Sequence, residues 1–175
     1  MNNLVFAGID VSAKTLDVCV ERSNGKKLPV RQFANSPAGH TALIGFLARQ
    51  GDQAQVVVEA TGSYSLQLCL ALNEAPHMEI MVANPLAVRR FSGACMERSK
   101  SDVKDAQSIC EFAKRMDFVR WVAPTQEVLE LRSVARRISS LSKDLTREQN
   151  RLHAEEARGS VKLVLNDIEV NIRHL

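Results

Sequence analysis

Apolar residues fill both faces of an extended run at 4–10, where Val5, Ala7 and Ile9 alternate with Leu4, Phe6 and Gly8 before Asp10 closes the segment. A strand covered on both sides reads this way, so residues 4–10 are predicted as a central strand. Residues 15–21 alternate more clearly, with Leu16, Val18 and Val20 on one face and Asp17, Cys19 and Glu21 on the other. Asp17 is read as facing outward. Ser23-Asn24-Gly25-Lys26 is a turn, since Asn-Gly favours a tight hairpin, and a third strand is expected over 28–34. Asn35-Ser36-Pro37 opens a helix with Leu43, Ile44, Phe46 and Leu47 as its apolar stripe, closed by Gly51-Asp52.

The pattern then changes period repeatedly. Val56-Val57-Val58 is a β-branched strand ending on Glu59, and residues 64–73 read as a helix. Residues 79–83 form another short strand, Asn84-Pro85 breaks it, and a basic helix follows over 86–91. Residues 102–116 carry helical spacing, with 102, 105, 109, 112 and 116 on one face. Ile109, Phe112 and Met116 are expected to pack that face on the sheet. Beyond Trp121 and Pro124 a long helix starts near Glu127, Gly159 interrupts it, and a last helical piece runs to Leu175. Three meandering strands followed by alternating helices and strands predict an α/β fold, a ribonuclease-H-like mixed sheet with flanking helices. A long helical, coiled-coil-like extension follows. The expected division is a domain over 1–122 and the extension over 123–175.

Length and composition add boundaries. The chain has 175 residues, 45% hydrophobic and 25% charged, which fits a folded domain and excludes disorder along the whole chain. No run approaches the ~18 apolar residues of a membrane span, and the N-terminus lacks a signal-peptide pattern. Cys19, Cys69, Cys95 and Cys110 are scattered, with no metal-ligand spacing, and a reducing cytoplasm fits them. The four histidines show no metal or triad spacing and read as surface or loop residues.

Net charge is only +3, but its distribution is uneven. No Lys or Arg lies between Gln50 and Val88, whereas Arg89, Arg90, Arg98, Lys100 and Lys104 gather just beyond. That group is a candidate grip for a phosphate backbone. A later basic group, from Arg132 to Arg151, is interleaved with acids and reads equally well as a solvated helix face.

Candidate chemistry lies in the carboxylates. Asp10 closes the first strand, Glu59 the fourth, and Asp102 and Asp105 open a helix aimed at those strand ends. Asp102 and Asp105 also suit a first helical turn by complementing its dipole, and Asp10 suits a strand-end turn. Glu59, after three valines, asks for a partner. Four converging carboxylates repel one another unless cations intervene, and hard oxygen donors select Mg²⁺ or Mn²⁺. Two such ions would serve in-line phosphodiester displacement.

Gly8-Ile9-Asp10-Val11-Ser12, Glu59-Ala60-Thr61-Gly62-Ser63-Tyr64, Asn84-Pro85 and Lys100-Ser101-Asp102-Val103-Lys104-Asp105-Ala106, in this order, resemble the DEDD-type insertion-sequence transposases, the family that includes the Piv DNA invertases. The resemblance spans roughly residues 4–120 and continues into the helices. It implies a RuvC-like domain whose four acids are Asp10, Glu59, Asp102 and Asp105, acting on DNA. It also implies a bridge RNA as a possible partner. Many members carry Thr where Ser101 stands here. Family members also have a C-terminal domain with a nucleophilic serine. This chain ends at Leu175, so it is expected to be half of a larger recombinase, and no serine here inherits that role. Ser12, Ser63 and Ser101 read as turn or cap residues.

In the tail, Leu131, Ile138, Leu145 and Leu152 recur every seven residues with Val134 and Leu141 between, which predicts a homo-oligomeric coiled coil or a helix packed on its own chain. Three other functions share parts of the pattern. A stand-alone Holliday-junction resolvase lacks the heptads. An actin-like kinase needs a glycine phosphate turn where Val11-Ser12-Ala13 stands. A non-catalytic fragment would bind nucleic acid or oligomerise without using the acids.

Overall fold

The computed structural model describes residues 3–60, 62, 64–95 and 102–175; for Asp102 and Val103 it describes the helix backbone alone. Contacts divide the chain into two units, Met1–Ala123 and Pro124–Leu175.

The first unit holds strands β1 (Leu4–Val11), β2 (Thr15–Arg22), β3 (Arg31–Ala34), β4 (Gln53–Glu59) and β5 (Met78–Ala83), with helices α1 (Pro37–Ala48), α2 (Leu66–Glu74), α3 (Pro85–Ala94) and α4 (Asp102–Arg115). The strands form one sheet in the order β3-β2-β1-β4-β5. β1 runs antiparallel to β2 and parallel to β4, which runs parallel to β5. This mixed order, a three-strand meander extended by two parallel strands through helical crossovers, is the ribonuclease-H-like topology.

Local chemistry explains most boundaries. Ser36 caps α1 by accepting from the Gly39 amide at 3.2 Å, and Pro37 occupies the first turn. Asn84 caps α3 by accepting from the Leu86 amide at 2.8 Å. β3 is shorter than the sequence suggests. Pro29, lacking an N–H, interrupts the run, and an isolated Glu21–Lys27 bridge and the Leu28 amide bond to Val20 replace a continuous ladder over 27–30.

Two layers cover the sheet. On one face Val5, Ala7, Ile9, Leu16, Val18, Val56 and Val58 join Leu43, Phe46 and Leu47 of α1 and Leu68, Cys69 and Leu72 of α2 in the main core. Trp121 packs against this cluster, and its amide donates to the Ile80 carbonyl. On the other face α4 lies across β1, β2 and β4. Its contact residues are Ala106, Ile109, Cys110, Phe112 and Ala113, with Phe91 of α3 edge-on to Phe112 at 5.4 Å between ring centroids.

This arrangement corrects several expectations. The contact face of α4 is rotated towards Ala106 and Cys110, while Met116 is 47% exposed. The approach is so close at Gly8 that a Cβ there would meet the Ala106 carbonyl oxygen at 2.6 Å and overlap the Cys110 amide nitrogen. Small side chains, not the largest apolar ones, therefore set the helix phase. Asp17 does not face outward: it is buried with Cys19 and Glu21 on the α4 side of β2. Glu21 is tied there by Lys114 at 2.5 Å, and the Lys27 ammonium bridges to Glu111. His40 is likewise buried rather than at the surface. Cys19 and Cys110, distant in sequence, share one small cluster as free thiols.

The second unit is a helical hairpin, α5 (Gln126–Ala157) and α6 (Lys162–His174). Thr125 caps α5, and Gly159 turns the chain at φ +72°. Within the unit Ile168 is buried, but every side chain from Leu131 to Ser140 is exposed. Among the described residues no helix is long and apolar enough to cross a membrane.

Gly8→Ala should destabilise the chain by about 3 kcal/mol or more, the upper end of overpacking costs, because the new methyl meets helix backbone rather than a movable side chain. Gly93→Ala, where nothing lies within 4 Å of the new Cβ, should be neutral or slightly stabilising. Urea unfolding of both variants reads the difference.

Candidate functional site

Strand register lines up polar residues on the α4 side of the sheet. Gly8 faces α4, and side chains two residues apart share a face, so Asp10 lies on that side as well. Asp10 pairs with Asp17, and Asp17 pairs with Gln32. Asp10 and Glu59 follow directly on the Ile9–Val58 pair, and Glu59 pairs with Ala83. One row across the sheet therefore reads Gln32, Asp17, Asp10, Glu59, Ala83. Three adjacent strands each contribute a carboxylate to it.

α4 runs antiparallel to β1: Ala106 and Cys110 lie over Gly8, and Lys114 reaches Glu21, the partner of Phe6. Its N-terminal turn thus points to the strand end that carries Asp10. Asp105 is exposed on that turn. The electrostatics register the convergence. Glu59 is held above the usual carboxylate range, first by burial, then by the negative charges of Asp10 and Asp105, with Arg89 of α3 partly offsetting them. Asp10, Asp105 and Arg89 hence each lie within electrostatic reach of Glu59. Asp102 begins α4, and its side chain lies outside the described residues, as do Arg98, Lys100, Ser63 and Ser101. Arg89, Arg90 and Lys104 are exposed.

The loops behind the row are tied by one amide. Asn35 Nδ2 donates to the Ser12 carbonyl at 2.8 Å and the Tyr64 carbonyl at 3.2 Å, joining the segments that follow β1 and β4. With its amide nitrogen so used, Asn35 Oδ1 accepts from His40 Nε2 at 2.8 Å, which assigns the ring proton. Burial lowers the His40 pKa, favouring the neutral ring. Ser12 is a turn residue, its Oγ accepting from the Thr15 amide at 2.9 Å. The buried His40 was missed because a polar residue gives no periodic signal. The register of Asp17 had a readable signal, since a hairpin closing over 12–14 sets it opposite Asp10, but its burial had none.

The donor set suits a hard divalent cation: all donors are carboxylate oxygens, and burial with the charges of Asp10 and Asp105 makes Glu59 costly to ionise. Among the described residues no three His, Cys, Asp or Glu side chains form a group ready to hold one ion. Asp105 sits on an exposed helix turn and Asp102 is outside that set, so a cation would have to draw the carboxylates together.

A family model described as transposase, DEDD_Tnp_IS110, matches residues 7–155. The chain is 30% identical over 149 residues to the "Insertion element IS116 uncharacterized 44.8 kDa protein" of Streptomyces clavuligerus, a match covering 85% of this chain and 37% of that protein. The chain thus spans little more than a third of this curated relative. Among solved structures, it is similar to RuvC of Thermus thermophilus at 18% identity and a TM-score of 0.41, covering 68% of this chain and 85% of that one. It is also similar to the Ppx/GppA family member of Aquifex aeolicus at 12% identity and a TM-score of 0.34, covering 54% and 39%.

Because the folded state holds Glu59 above its ordinary value, ionising it opposes folding, and this group's contribution to stability declines as pH rises through the carboxylate range. Glu59→Gln removes that charge. It should raise the Tm of the metal-free chain at neutral pH, with the gain fading as pH falls through the carboxylate range and gone below about pH 4, where the unfolded carboxyl is protonated too. Thermal melts of both proteins across pH check the sign.

Proposed function

The chain belongs to the DEDD_Tnp_IS110 transposase family, and from that premise we propose that its sheet unit is a metal-dependent domain for phosphodiester chemistry on DNA. The observation that supports this most directly is the strand register that sets Asp10 and Glu59 side by side at the end of the sheet reached by the first turn of α4, where burial first and the charges of Asp10 and Asp105 next raise the Glu59 pKa. Carboxylates gathered at such a cost to folding are what a divalent-metal site needs and a purely structural site does not.

In this reading Asp10, Glu59, Asp102 and Asp105 hold Mg²⁺ or Mn²⁺. When bound, the metal supplies a polarised attacking oxygen and a stabilised leaving oxygen. The protein's part is positioning. The row on β1 and β4 fixes Asp10 and Glu59 on rigid strands, and α4 brings Asp102 and Asp105 from above. Arg89, beside Glu59, offers a guanidinium to a phosphate oxygen, and Arg90 and Lys104 extend a cationic rim. DNA, or the bridge RNA that the family resemblance implies, would lie along that rim, with Arg98 and Lys100 as further contacts.

Isothermal titration of the 175-residue chain with Mn²⁺ tests the site. Binding should occur, and saturation at 100 times Kd should stabilise the fold by about 2.7 kcal/mol. Asp10→Asn should abolish both effects while remaining folded. Equal binding by wild type and Asp10→Asn contradicts the assignment.

We also propose that α5 pairs with a second copy of the chain. The heptad residues Leu131, Val134 and Ile138 are 68%, 55% and 58% exposed within their own unit, the arrangement an unpaired coiled-coil seam presents. Sedimentation velocity should show a dimer or larger species that Leu131→Glu with Ile138→Glu reduces to monomer. A monomeric wild type at micromolar concentration contradicts the pairing.

A further inference from the structure

Asp17 is the one carboxylate of the sheet row that the proposed site does not use. It stands directly opposite Asp10 in the antiparallel β1–β2 register, on the α4 side of the sheet, and is 8% exposed. Directly opposed residues have Cβ atoms about 4.5–5.5 Å apart, and like charges so placed are unfavourable. Nothing in strand packing calls for an acid here. The neighbouring pair two residues along the same face is Gly8–Cys19, small and apolar.

Nor is Asp17 left to find its own position. Gln32, its register partner on β3, donates Nε2 to both carboxylate oxygens, at 3.1 Å to Oδ1 and 3.4 Å to Oδ2. A neutral amide fixes the orientation of the carboxylate without cancelling its charge. An Arg or Lys at 32 would have neutralised Asp17. Of the described cations on this face, Lys27 and Lys114 are bound to Glu21, and Lys27 also to Glu111, at the opposite end of the hairpin, while Arg89 acts on Glu59. The row therefore keeps a clamped negative charge beside Asp10.

We propose that Asp17 is a positioning residue of the carboxylate site, a fifth acid that raises its affinity for a divalent cation by standing behind Asp10 and accepting hydrogen bonds from water in the ion's shell. The inference rests on the metal-site reading above and extends it to a residue outside the four-acid set. Partners behind a ligand shell act by charge and orientation, and their loss costs about 10–100-fold in metal affinity rather than all of it. Asp17→Asn keeps the shape and a carbonyl for the Gln32 amide but removes the charge.

The experiment is isothermal titration with Mn²⁺ on the 175-residue chain, its Asp17→Asn and Asp10→Asn variants and Gln32→Leu, with metal-free thermal melts alongside. Expected is binding by wild type, loss in Asp10→Asn, and an affinity about 10–100-fold weaker in Asp17→Asn. The metal-free Tm of Asp17→Asn should be unchanged or higher, because one of two opposed charges is gone. A merely structural Asp17 would lower the Tm and leave affinity alone. Gln32→Leu, which unclamps Asp17, should weaken binding in the same direction and serves if Asp17→Asn does not fold. Affinities within twofold of wild type in every folded variant at 17 and 32, with Asp10→Asn inactive in binding, overturn the role of Asp17 and leave the four-acid site standing. Absence of binding by wild type overturns both.

Discussion

The contact on which the rest of this domain depends is the seating of α4 on β1 at Gly8. There is no room for a side chain between the Gly8 Cα and the backbone of Ala106 and Cys110. That closeness fixes the height and phase of α4, and these decide where its N-terminal turn ends. Two residues beyond Gly8 on the same face is Asp10, and one strand over is Glu59. The missing side chain at 8 and the charge at 10 are two parts of one device: the first lets the helix down, and the second meets what the helix carries.

The device has a cost, which falls on Glu59. Half-buried and facing the charges of Asp10 and Asp105, which Arg89 only partly offsets, it is held above its ordinary range. On the same side of the sheet Glu21 is more deeply buried, yet Lys114 and Lys27 lie against it. The contrast separates two uses of buried acid. At the Glu21 end, cations are built into the protein. At the Asp10 end, the described groups that moderate the charge are an amide at Gln32 and a guanidinium at Arg89. In the proposed reading, the carboxylates held there on rigid elements receive a divalent ion and the phosphates that accompany it.

Much of this was legible in the chain. Strand order followed from the change of period between 4–34 and 53–83, and Asp10, Glu59 and Asp105 were identified as acids at element ends. Asn84-Pro85 punctuated as expected. What could not be read were relations set by tertiary distance. The α4 face was misphased because Ile109, Phe112 and Met116 dominate by size, whereas Ala106 and Cys110 dominate by allowing close approach. Asp17 looked outward because the alternation of β2 is apolar against polar, and only α4 makes the second face an interior. His40 was hidden because its burial depends on one side-chain bond to Asn35, a contact with no periodic signature.

The account turns on whether one ion can draw Asp10, Glu59 and the first turn of α4 together. Crystals of the chain grown with Mn²⁺, with anomalous scattering recorded at the manganese edge, measure this directly. The account predicts an anomalous peak bounded by the carboxylates of Asp10, Glu59 and Asp105, lost in crystals of Asp10→Asn. Manganese bound elsewhere, or those carboxylates ordered without an ion at saturating metal, would contradict it.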